Sequence, residues 1–424
     1  MKVLVIGHSS WDISCPVDEY PVENTKYRLD ESVMCGGGPA GNAAFLLAKW
    51  GIETYYAGVV GSDDFGTKIK KEFEHVGVHT DYLETNYEKP TSLSFIMINR
   101  KNGSRTLFNI ANGRPSMKKS EFTCDPDVIL IDGHEYNASI SAINKYPNAI
   151  SIIDAGRITS ELLELCKNCK YIVASKGFAE TVTKMKIDFA NPGSLVQVYT
   201  ALKNRYNHAE IVVTLEDRGA LYAVNNEIKI MPGLKVDAVD TTGAGDIFHG
   251  AFTYAIAKGF DIEKAVRYSN ITAGLSVGKL GARMSIPTLV EVNNYYNEKF
   301  PNQATPNQQV NPNAAQVTPQ VQINQQVTPA APVAPQPQVI QTPVAPVIPE
   351  VPVQPVQQVQ VETPINNVTP VVPDATPTAN DFSVGIPAVG ETSSVNAQAT
   401  PQATMSYAEA MQNLNNNQDN NING

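Results

Sequence analysis

The sequence predicts an α/β fold in which a mostly parallel sheet is covered by helices on both faces, with a small β-sheet lid and a disordered C-terminal tail. Three observations lead to this prediction. Short β-rich runs alternate with longer helix-period runs over residues 1–300. Two further strand-like stretches interrupt the alternation. After residue 300 the composition changes to Pro, Gln, Asn, Val and Thr.

The alternating runs define the predicted elements. The strands are predicted at Val3–Ile6, Thr54–Ala57, Val128–Ile131, Ile150–Ile153, Tyr171–Val173 and Ile211–Thr214. The helices are predicted at Asn42–Lys49, Phe65–His75, Ser139–Tyr146, Ser160–Cys166 and Pro192–Tyr206. Ligands bind at the carboxyl ends of the strands in this architecture, so the site is expected at that edge.

The lid is predicted from residues 13–35 and 91–110. Tyr27–Cys35 and Leu93–Phe108 are strand-like, and the turn sequence Asn102-Gly103-Ser104 divides the second stretch. These stretches are expected to pair into a side sheet that covers the main sheet. Because exposed strand edges tend to pair, a homodimer through the lid is also predicted.

Residues 301–424 are predicted to be disordered. They contain 19 of the 29 prolines and no Lys or Arg, and scattered prolines fix φ and remove backbone donors. One segment, Ser406–Leu414, has apolar residues at roughly helical spacing after a Ser N-cap. It can be interpreted either as a frayed polar tail or as a helix that binds a partner. A second hypothesis is that the tail tethers the protein to a partner that the sequence does not identify.

The charge balance argues against a nucleic-acid-binding protein. The formal net charge is −10, but the tail holds seven acidic residues, so residues 1–300 carry 32 basic against 35 acidic side chains. Nucleic-acid binding relies on clustered Lys and Arg. No apolar run approaches the roughly 18 residues of a membrane span, and the Met1–Gly7 run is typical of a strand rather than a signal peptide. The prediction is a cytoplasmic protein without a membrane partner.

The chain has five cysteines at irregular spacing, which suits reduced thiols rather than a disulfide framework. Cys166 and Cys169 form a C-x-x-C pair, but no second pair or His cluster stands at ligand spacing. Two small residues at a helix end are the expected interpretation, with metal or redox use as the alternative.

The strongest chemical signal is the stretch Asp240-Thr241-Thr242-Gly243-Ala244-Gly245-Asp246 before the helical run Ile247–Lys258. Glycines at a helix start let backbone N–H groups converge on an anion, and the helix dipole favours a phosphate there. Asp246 is placed to take a proton from an alcohol brought up to that phosphate. The alternative is an Asp that only caps the helix.

A second signal is the glycine-rich turn from Cys35 to Ala44, which opens a predicted helix. Its glycines allow a ligand to approach closely, and Asn42 supplies both a donor and an acceptor, as a sugar hydroxyl requires. Asp12, shortly after the first strand, can accept two hydroxyl hydrogen bonds. Alone, these residues are also consistent with an ordinary turn and a loop Asp.

Together these motifs resemble the ribokinase-like (PfkB-type) carbohydrate kinase family over residues 1–300. The Gly-Gly sequence with Asn42 shortly after it, the Asp240–Asp246 stretch about two hundred residues later, and Ser285–Leu289 near the end carry the resemblance. It implies a Rossmann-like α/β/α sandwich with a small lid. It also implies transfer of the γ-phosphoryl group of ATP, with Mg²⁺, to a hydroxyl of a sugar or nucleoside.

The resemblance also assigns roles to residues. It makes Asp246 the general base and Gly243, Ala244 and Gly245 the anion hole for the transferred phosphoryl group. The residues it assigns to the acceptor's other hydroxyls are Asp12, Gly37, Gly38 and Asn42.

Two positions depart from the family pattern. Where many members have Asn-x-x-Glu after a strand, this chain has Ser175, with the nearest acid at Glu180, so Ser175 is predicted at the nucleotide and Glu180 at the metal. In the Thr-x-Gly-x-x-Gly pattern, Thr214 and Gly219 match and are predicted to contact the nucleotide, while Glu216 replaces the first Gly.

Two further residues are substrate-binding candidates. Arg105, after the lid turn, is within reach of an anionic group or a developing charge, and Glu135 follows a predicted strand at the ligand-binding edge. A solvated residue is the alternative at each position.

The leading hypothesis is therefore an ATP-dependent sugar kinase. The alternative is a catalytically weak or inactive sugar- or nucleotide-binding scaffold that acts through its tail. Ribose, fructose, other ketoses and nucleosides all remain open as acceptors.

Overall fold

The computed structural model describes residues 1–110 and 115–301, and their strands and helices are numbered here in chain order. The strands are β1 (Lys2–Ile6), β2 (Ser10–Val17), β3 (Val33–Gly37), β4 (Glu53–Gly61), β5 (Val78–Asn86), β6 (Leu93–Asn99), β7 (Arg105–Ile110), β8 (Val128–Ile131), β9 (Ile150–Ala155), β10 (Tyr171–Ser175), β11 (Glu210–Thr214), β12 (Ala220–Val224) and β13 (Glu227–Met231). The helices are α1 (Pro39–Lys49), α2 (Asp64–Val76), α3 (Tyr136–Lys145), α4 (Ser160–Cys166), α5 (Lys176–Thr183), α6 (Pro192–Arg205), α7 (Ala244–Ala257), α8 (Ile262–Ser276), α9 (Ala282–Ser285) and α10 (Leu289–Lys299).

The main sheet has the strand order β13-β12-β11-β10-β9-β8-β1-β4-β5. The strands from β11 to β5 in this order are parallel, and β12 and β13 are antiparallel additions at one edge. Both faces of such a sheet must be covered, which explains the continuous apolar run of β1. The predicted parallel sheet is therefore present, and it is extended by strands that the sequence did not predict.

The two faces of the sheet pack against different helices. Val3 and Val5 belong to a core with apolar residues of α1, α2, α7, α8 and α10. Leu4 and Ile6 belong to a second core with residues of α3, α4, α5 and α6. This division arises because successive side chains along a strand point to opposite faces of the sheet. The strand β1 is therefore buried on both faces, and its carboxyl end is held by packing from both sides.

The lid is a separate four-stranded sheet with the order β3-β2-β6-β7. The strand predicted at Tyr27–Cys35 is correct only from Val33 to Cys35, because regular pairing begins at Val33 and extends to Gly37. The sequence analysis also missed β2, which pairs with both β3 and β6. Asp12 therefore lies in a lid strand and not in a loop.

Within the described ranges, none of the helices has the length and apolar character that crossing a membrane requires. All five cysteines are free and buried. Apart from residue 301, the tail lies outside the described residues, as does the Ser406–Leu414 segment. The predictions made for the tail, the domain boundary at residue 300 and the lid dimer stay predictions.

Candidate active site

The two glycine-containing motifs meet above the carboxyl end of the central sheet. Asp246 lies in the first turn of α7, and Asn42 lies in the first turn of α1. Nδ2 of Asn42 donates a hydrogen bond of 2.7 Å to Oδ2 of Asp246 across 204 residues of sequence. Because Asn42 is only 1% exposed, this contact is a fixed part of the interior rather than a surface encounter.

Asp246 has an environment suited to proton transfer. Burial and the nearby Asp154 carboxylate raise the pKa of Asp246 to about 6, while Asn42, His249 and Arg105 act in the opposite direction. A base whose pKa lies close to the working pH combines an ionised resting state with a useful affinity for the transferred proton. Asp246 is thus ionised at neutral pH and remains basic enough to accept a hydroxyl proton.

The residues predicted to form the anion hole, Gly243 to Gly245, lie in the turn at the start of α7. Gly243 is the N-cap residue, in the left-handed conformation with φ 75°. A Cβ placed on Gly245 would meet no heavy atom within 4 Å, so the space in front of this helix end is open. The N–H of Ala244 donates within the turn to the carbonyl of Thr241 at 3.3 Å, a long hydrogen bond that a bound phosphoryl group would replace.

The predicted acceptor residues lie on the lid side of Asp246. Asp12 is 5% exposed and accepts a hydrogen bond of 2.8 Å from the hydroxyl of Ser10; burial raises its pKa. A Cβ on Gly37 would lie 2.0 Å from Oδ2 of Asp12, so only glycine allows this approach. Gly38 is the N-cap residue of α1. The structure therefore brings Asp12, Gly37, Gly38 and Asn42 together around Asp246.

Asp132, at the carboxyl end of β8, holds the glycine-rich turn in place. Its Oδ2 accepts from the backbone N–H of His8 at 2.8 Å and from that of Ala40 at 3.3 Å. The His134 imidazole beside it is among the groups that hold the pKa of Asp132 well below its ordinary value despite burial. This carboxylate connects the end of β1 to the start of α1, which carries Asn42.

The lid reaches the α7 turn through its β6–β7 hairpin. Arg105 donates from Nη1 to Oγ1 of Thr241 at 3.0 Å. The same hydroxyl donates to the carbonyl of Gly103 at 3.0 Å. Arg105 therefore lies beside the α7 turn and is exposed to solvent; its substrate-binding role stays a prediction.

The predicted nucleotide residues follow two adjacent strands. Ser175 and Thr214 are register partners at the ends of β10 and β11, and Ser175 also caps α5 by accepting from the N–H of Phe178 at 3.1 Å. Gly219 closes the turn after β11. Glu216 has a left-handed backbone conformation with φ 60°, and its side chain is exposed.

Two predicted residues are engaged elsewhere. Glu180 accepts from the ammonium group of Lys186 at 2.8 Å and from the N–H of Ile187 at 3.0 Å. Glu135 is buried and accepts from the N–H of Met117 at 2.8 Å. These contacts are structural, so the metal role of Glu180 and the acceptor role of Glu135 stay predictions.

A buried His–Asp pair, which was not predicted from the sequence, lies next to Asp246. Nε2 of His249 lies 3.3 Å from Oδ1 of Asp154, and Nδ1 lies 2.6 Å from the carbonyl oxygen of Gly245. Nε2 also lies 3.1 Å from the carbonyl oxygen of Val173, so both ring nitrogens of His249 face oxygen atoms of the protein. Two signals could have identified this pair: Asp154 lies near the carboxyl end of the parallel strand β9, and His249 follows Asp246 by three residues on the same helix.

Residues 1–289 match the profile of the family described as pfkB family carbohydrate kinase. Among curated proteins, the ribokinase of Bacillus subtilis is 27% identical over 301 residues, which cover 69% of this chain and 98% of that protein. The ATP-dependent ribose-1-phosphate kinase of Halopiger xanaduensis is 25% identical over 309 residues, with 71% of this chain and 99% of that protein covered.

A solved structure is also similar. The crystal structure of a putative ribokinase from Agrobacterium tumefaciens matches with a TM-score of 0.65 and 25% identity, covering 70% of this chain and 97% of that one. The expected fold, a helix-covered parallel sheet of the ribokinase type, is confirmed by this similarity.

Proposed function

Because the chain belongs to the pfkB family of carbohydrate kinases, we propose that it transfers the γ-phosphoryl group of ATP to a sugar hydroxyl with Asp246 as the general base. The N–H groups of Gly243, Ala244 and Gly245 form the anion hole in this proposal. Asp12, Gly37, Gly38 and Asn42 hold the acceptor's other hydroxyls.

The observation that carries this proposal is the 2.7 Å contact between Asn42 and Asp246. It joins the residue proposed to bind the acceptor to the residue proposed to deprotonate it. The acceptor hydroxyl is then held within reach of the carboxylate that takes its proton, which is the geometric requirement for general-base catalysis.

The proposed reaction has one chemical step. The acceptor oxygen forms a bond to the γ-phosphorus while the bond to the oxygen bridging the β- and γ-phosphates breaks and ADP leaves. The acceptor proton passes to Oδ1 of Asp246, because Asn42 occupies Oδ2. Phosphoryl transfer needs positioning and charge stabilisation more than covalent participation by the protein. The α7 turn, with Arg105 beside it, supplies the charge stabilisation.

Magnesium fits this site as a companion of the nucleotide. Across residues 1–110 and 115–301, no group of three or more His, Cys, Asp or Glu side chains is arranged to hold a metal ion. Mg²⁺ commonly keeps several waters and binds through substrate phosphates with one or two carboxylates, so a protein cage is not required. When bound, the ion would neutralise charge on the β- and γ-phosphates. We propose Glu180 as its protein ligand, which requires that the Glu180 carboxylate give up its contact with Lys186.

Ribose is the first acceptor to test, because the curated relatives include a ribokinase. Fructose, other ketoses and nucleosides complete the panel. ADP formation by the full chain with ATP and Mg²⁺ is the readout. Turnover of at least one acceptor supports the proposal, and no turnover across the panel contradicts it.

Asp246→Asn tests the role of the base directly. Removing a general base lowers the rate by a factor of about 10²–10⁴, so the kcat of this variant should fall by that amount. Asp261→Asn is the matched control, because Asp261 is an N-cap residue of α8 and asparagine caps equally well. An Asp246→Asn variant with the full rate would contradict the assignment.

The scaffold hypothesis remains the alternative. It predicts a ligand-dependent rise in melting temperature without ADP formation.

A further inference from the structure

Arg283 is an almost completely buried arginine next to the site, and neither its sequence context nor the proposed mechanism accounts for it. It lies in α9 and is 2% exposed. A buried guanidinium is costly unless it is paired and hydrogen-bonded. Its contacts therefore indicate what this charge holds in place.

The guanidinium group connects the segments that build the acceptor side of the site. Nη1 pairs with Oε2 of Glu72 at 2.8 Å. Nη2 donates to Oγ of Ser9 at 3.0 Å and to the carbonyl of Gly37 at 3.3 Å. Nε faces Oδ1 of Asn42 at 3.4 Å.

The chain also makes room for this group. A Cβ on Gly36 would lie 2.0 Å from Nη1 of Arg283, and a Cβ on Gly41 would lie 2.6 Å from Nη2. The guanidinium plane packs over the ring of Phe73, with 4.4 Å from Cζ to the ring centroid. The glycine-rich turn is thus shaped around the arginine as well as around Asp12.

The orientation of the Asn42 amide follows from this contact. Arginine only donates hydrogen bonds, so the Asn42 atom that faces it must be the carbonyl oxygen. A flipped amide would place its NH₂ group against a buried cation and its oxygen against the Asp246 carboxylate. Even at 3.4 Å, charge complementarity therefore favours the orientation in which NH₂ faces Asp246.

We propose that Arg283 is a positioning residue that acts through Asn42 by fixing the amide so that its NH₂ group faces the carboxylate of Asp246. This inference rests on the proposed function for its kinetic consequence, but the hydrogen-bond chain from Arg283 to Asp246 can be tested without turnover. The chain also extends outward to Glu72, which accepts from the N–H of Gly36 at 2.9 Å.

Other charged groups act on Asp246 and stay in place in the test. They are Asp154 at the end of β9, Asp12 in β2, Arg105 in β7 and His249 on α7 itself. The variants below leave these four groups in place, but Arg283→Met also removes a positive charge that acts on Asp12. Arg283→Lys keeps that charge, so it separates the loss of the Asn42 contact from a direct effect of the charge.

The test is a double-mutant cycle read by NMR titration of the full chain with ¹³C-labelled aspartate, in which Asp246→Asn identifies the Asp246 signal. Arg283→Met should move the titration midpoint of Asp246 up by about one pH unit, the tenfold change that corresponds to one hydrogen bond to a charged group. Asn42→Leu should do the same. The double variant should show no further rise, because both changes remove the same contact.

Arg267→Met is a matched control. Arg267 pairs with Glu263 at 3.3 Å and its Cζ lies 4.4 Å from the centroid of Phe300, but it lies on α8 and does not contact Asn42. It should leave the Asp246 midpoint unchanged. If Arg283→Met fails to fold, Arg283→Lys keeps the charge beside Glu72 without the Nε–H that faces Asn42, and a smaller upward movement is expected.

An unchanged midpoint in a folded Arg283 variant, additive effects in the double variant, or an equal effect of Arg267→Met would each overturn the proposal. If the wild-type protein phosphorylates an acceptor, Arg283→Met should also lower kcat/KM about fivefold more at pH 6 than at pH 8. A wild-type protein without turnover would contradict the proposed function, while the NMR cycle would still decide the role of Arg283.

Discussion

Replacing Asp246 by asparagine should stabilise the free protein while it removes activity. The pKa of Asp246 is raised from 3.8 to about 6, so the folded protein resists ionisation of this carboxyl more than the unfolded chain does. Each pKa unit corresponds to about 1.4 kcal/mol. The ionised carboxylate therefore costs the folded state up to about 3 kcal/mol.

The pH dependence gives the sign of this effect. For a carboxyl group whose folded pKa is raised, the cost is fully present above about pH 6 and disappears below the unfolded value of 3.8. Asparagine carries no charge at either pH. The variant should thus be more stable than the wild type by up to about 3 kcal/mol at pH 8, and by about 1 kcal/mol at pH 4.5.

Urea unfolding at the two pH values measures this difference. Trp11 and Trp50 are both buried, so their fluorescence reports unfolding. Asp261→Asn should change the free energy of unfolding by less than about 0.5 kcal/mol at either pH. An Asp246→Asn variant that is no more stable at pH 8, or whose advantage does not depend on pH, would refute the electrostatic account of this site.

Two smaller predictions concern backbone positions. Gly37→Ala should raise the KM for the acceptor at least about tenfold with little change in the KM for ATP, because its Cβ would lie 2.0 Å from Asp12. Gly278→Ala is the control and should change neither KM, because the nearest atom to its Cβ would be 3.7 Å away. Equal effects of the two variants would contradict this reasoning. Glu216→Gly should stabilise the protein by up to about 1 kcal/mol in urea unfolding, since φ 60° is costly for a residue with a Cβ. Asp217→Gly, without a positive φ, should instead destabilise it, and the opposite order would contradict the argument.

The central sheet could be predicted from the sequence because its signal is local. Val3–Ile6 and Val128–Ile131 are short apolar runs, and burial on both faces requires such runs. The strand β2 was missed for the opposite reason: Ser10–Val17 contains Asp and Pro, which are depleted in strands. It forms a strand because β3 and β6 pair with it. These partners are distant along the chain, so the local sequence does not reveal the pairing.

The candidate site was predictable only in part. Asn42 and Asp246 stand in motifs with a local chemical signature, so their roles could be proposed before their contact was known. Arg283 has no such signature, because Ser9, Glu72 and Asn42, which it contacts, are more than two hundred residues away along the chain. The burial of this charge and its contacts can be recognised only from the folded structure.

The central claim is that Asp246 is the base, and the pH dependence of kcat/KM for the full chain with ATP, Mg²⁺ and its best acceptor tests it most directly. Because kcat/KM reports the free enzyme, activity should fall tenfold per pH unit below about 6, where Asp246 becomes protonated. His249→Asn should keep this acidic limb and move it upward, since His249 lowers the pKa of Asp246. A profile that stays flat down to pH 5, or a limb that disappears in His249→Asn, would contradict the claim.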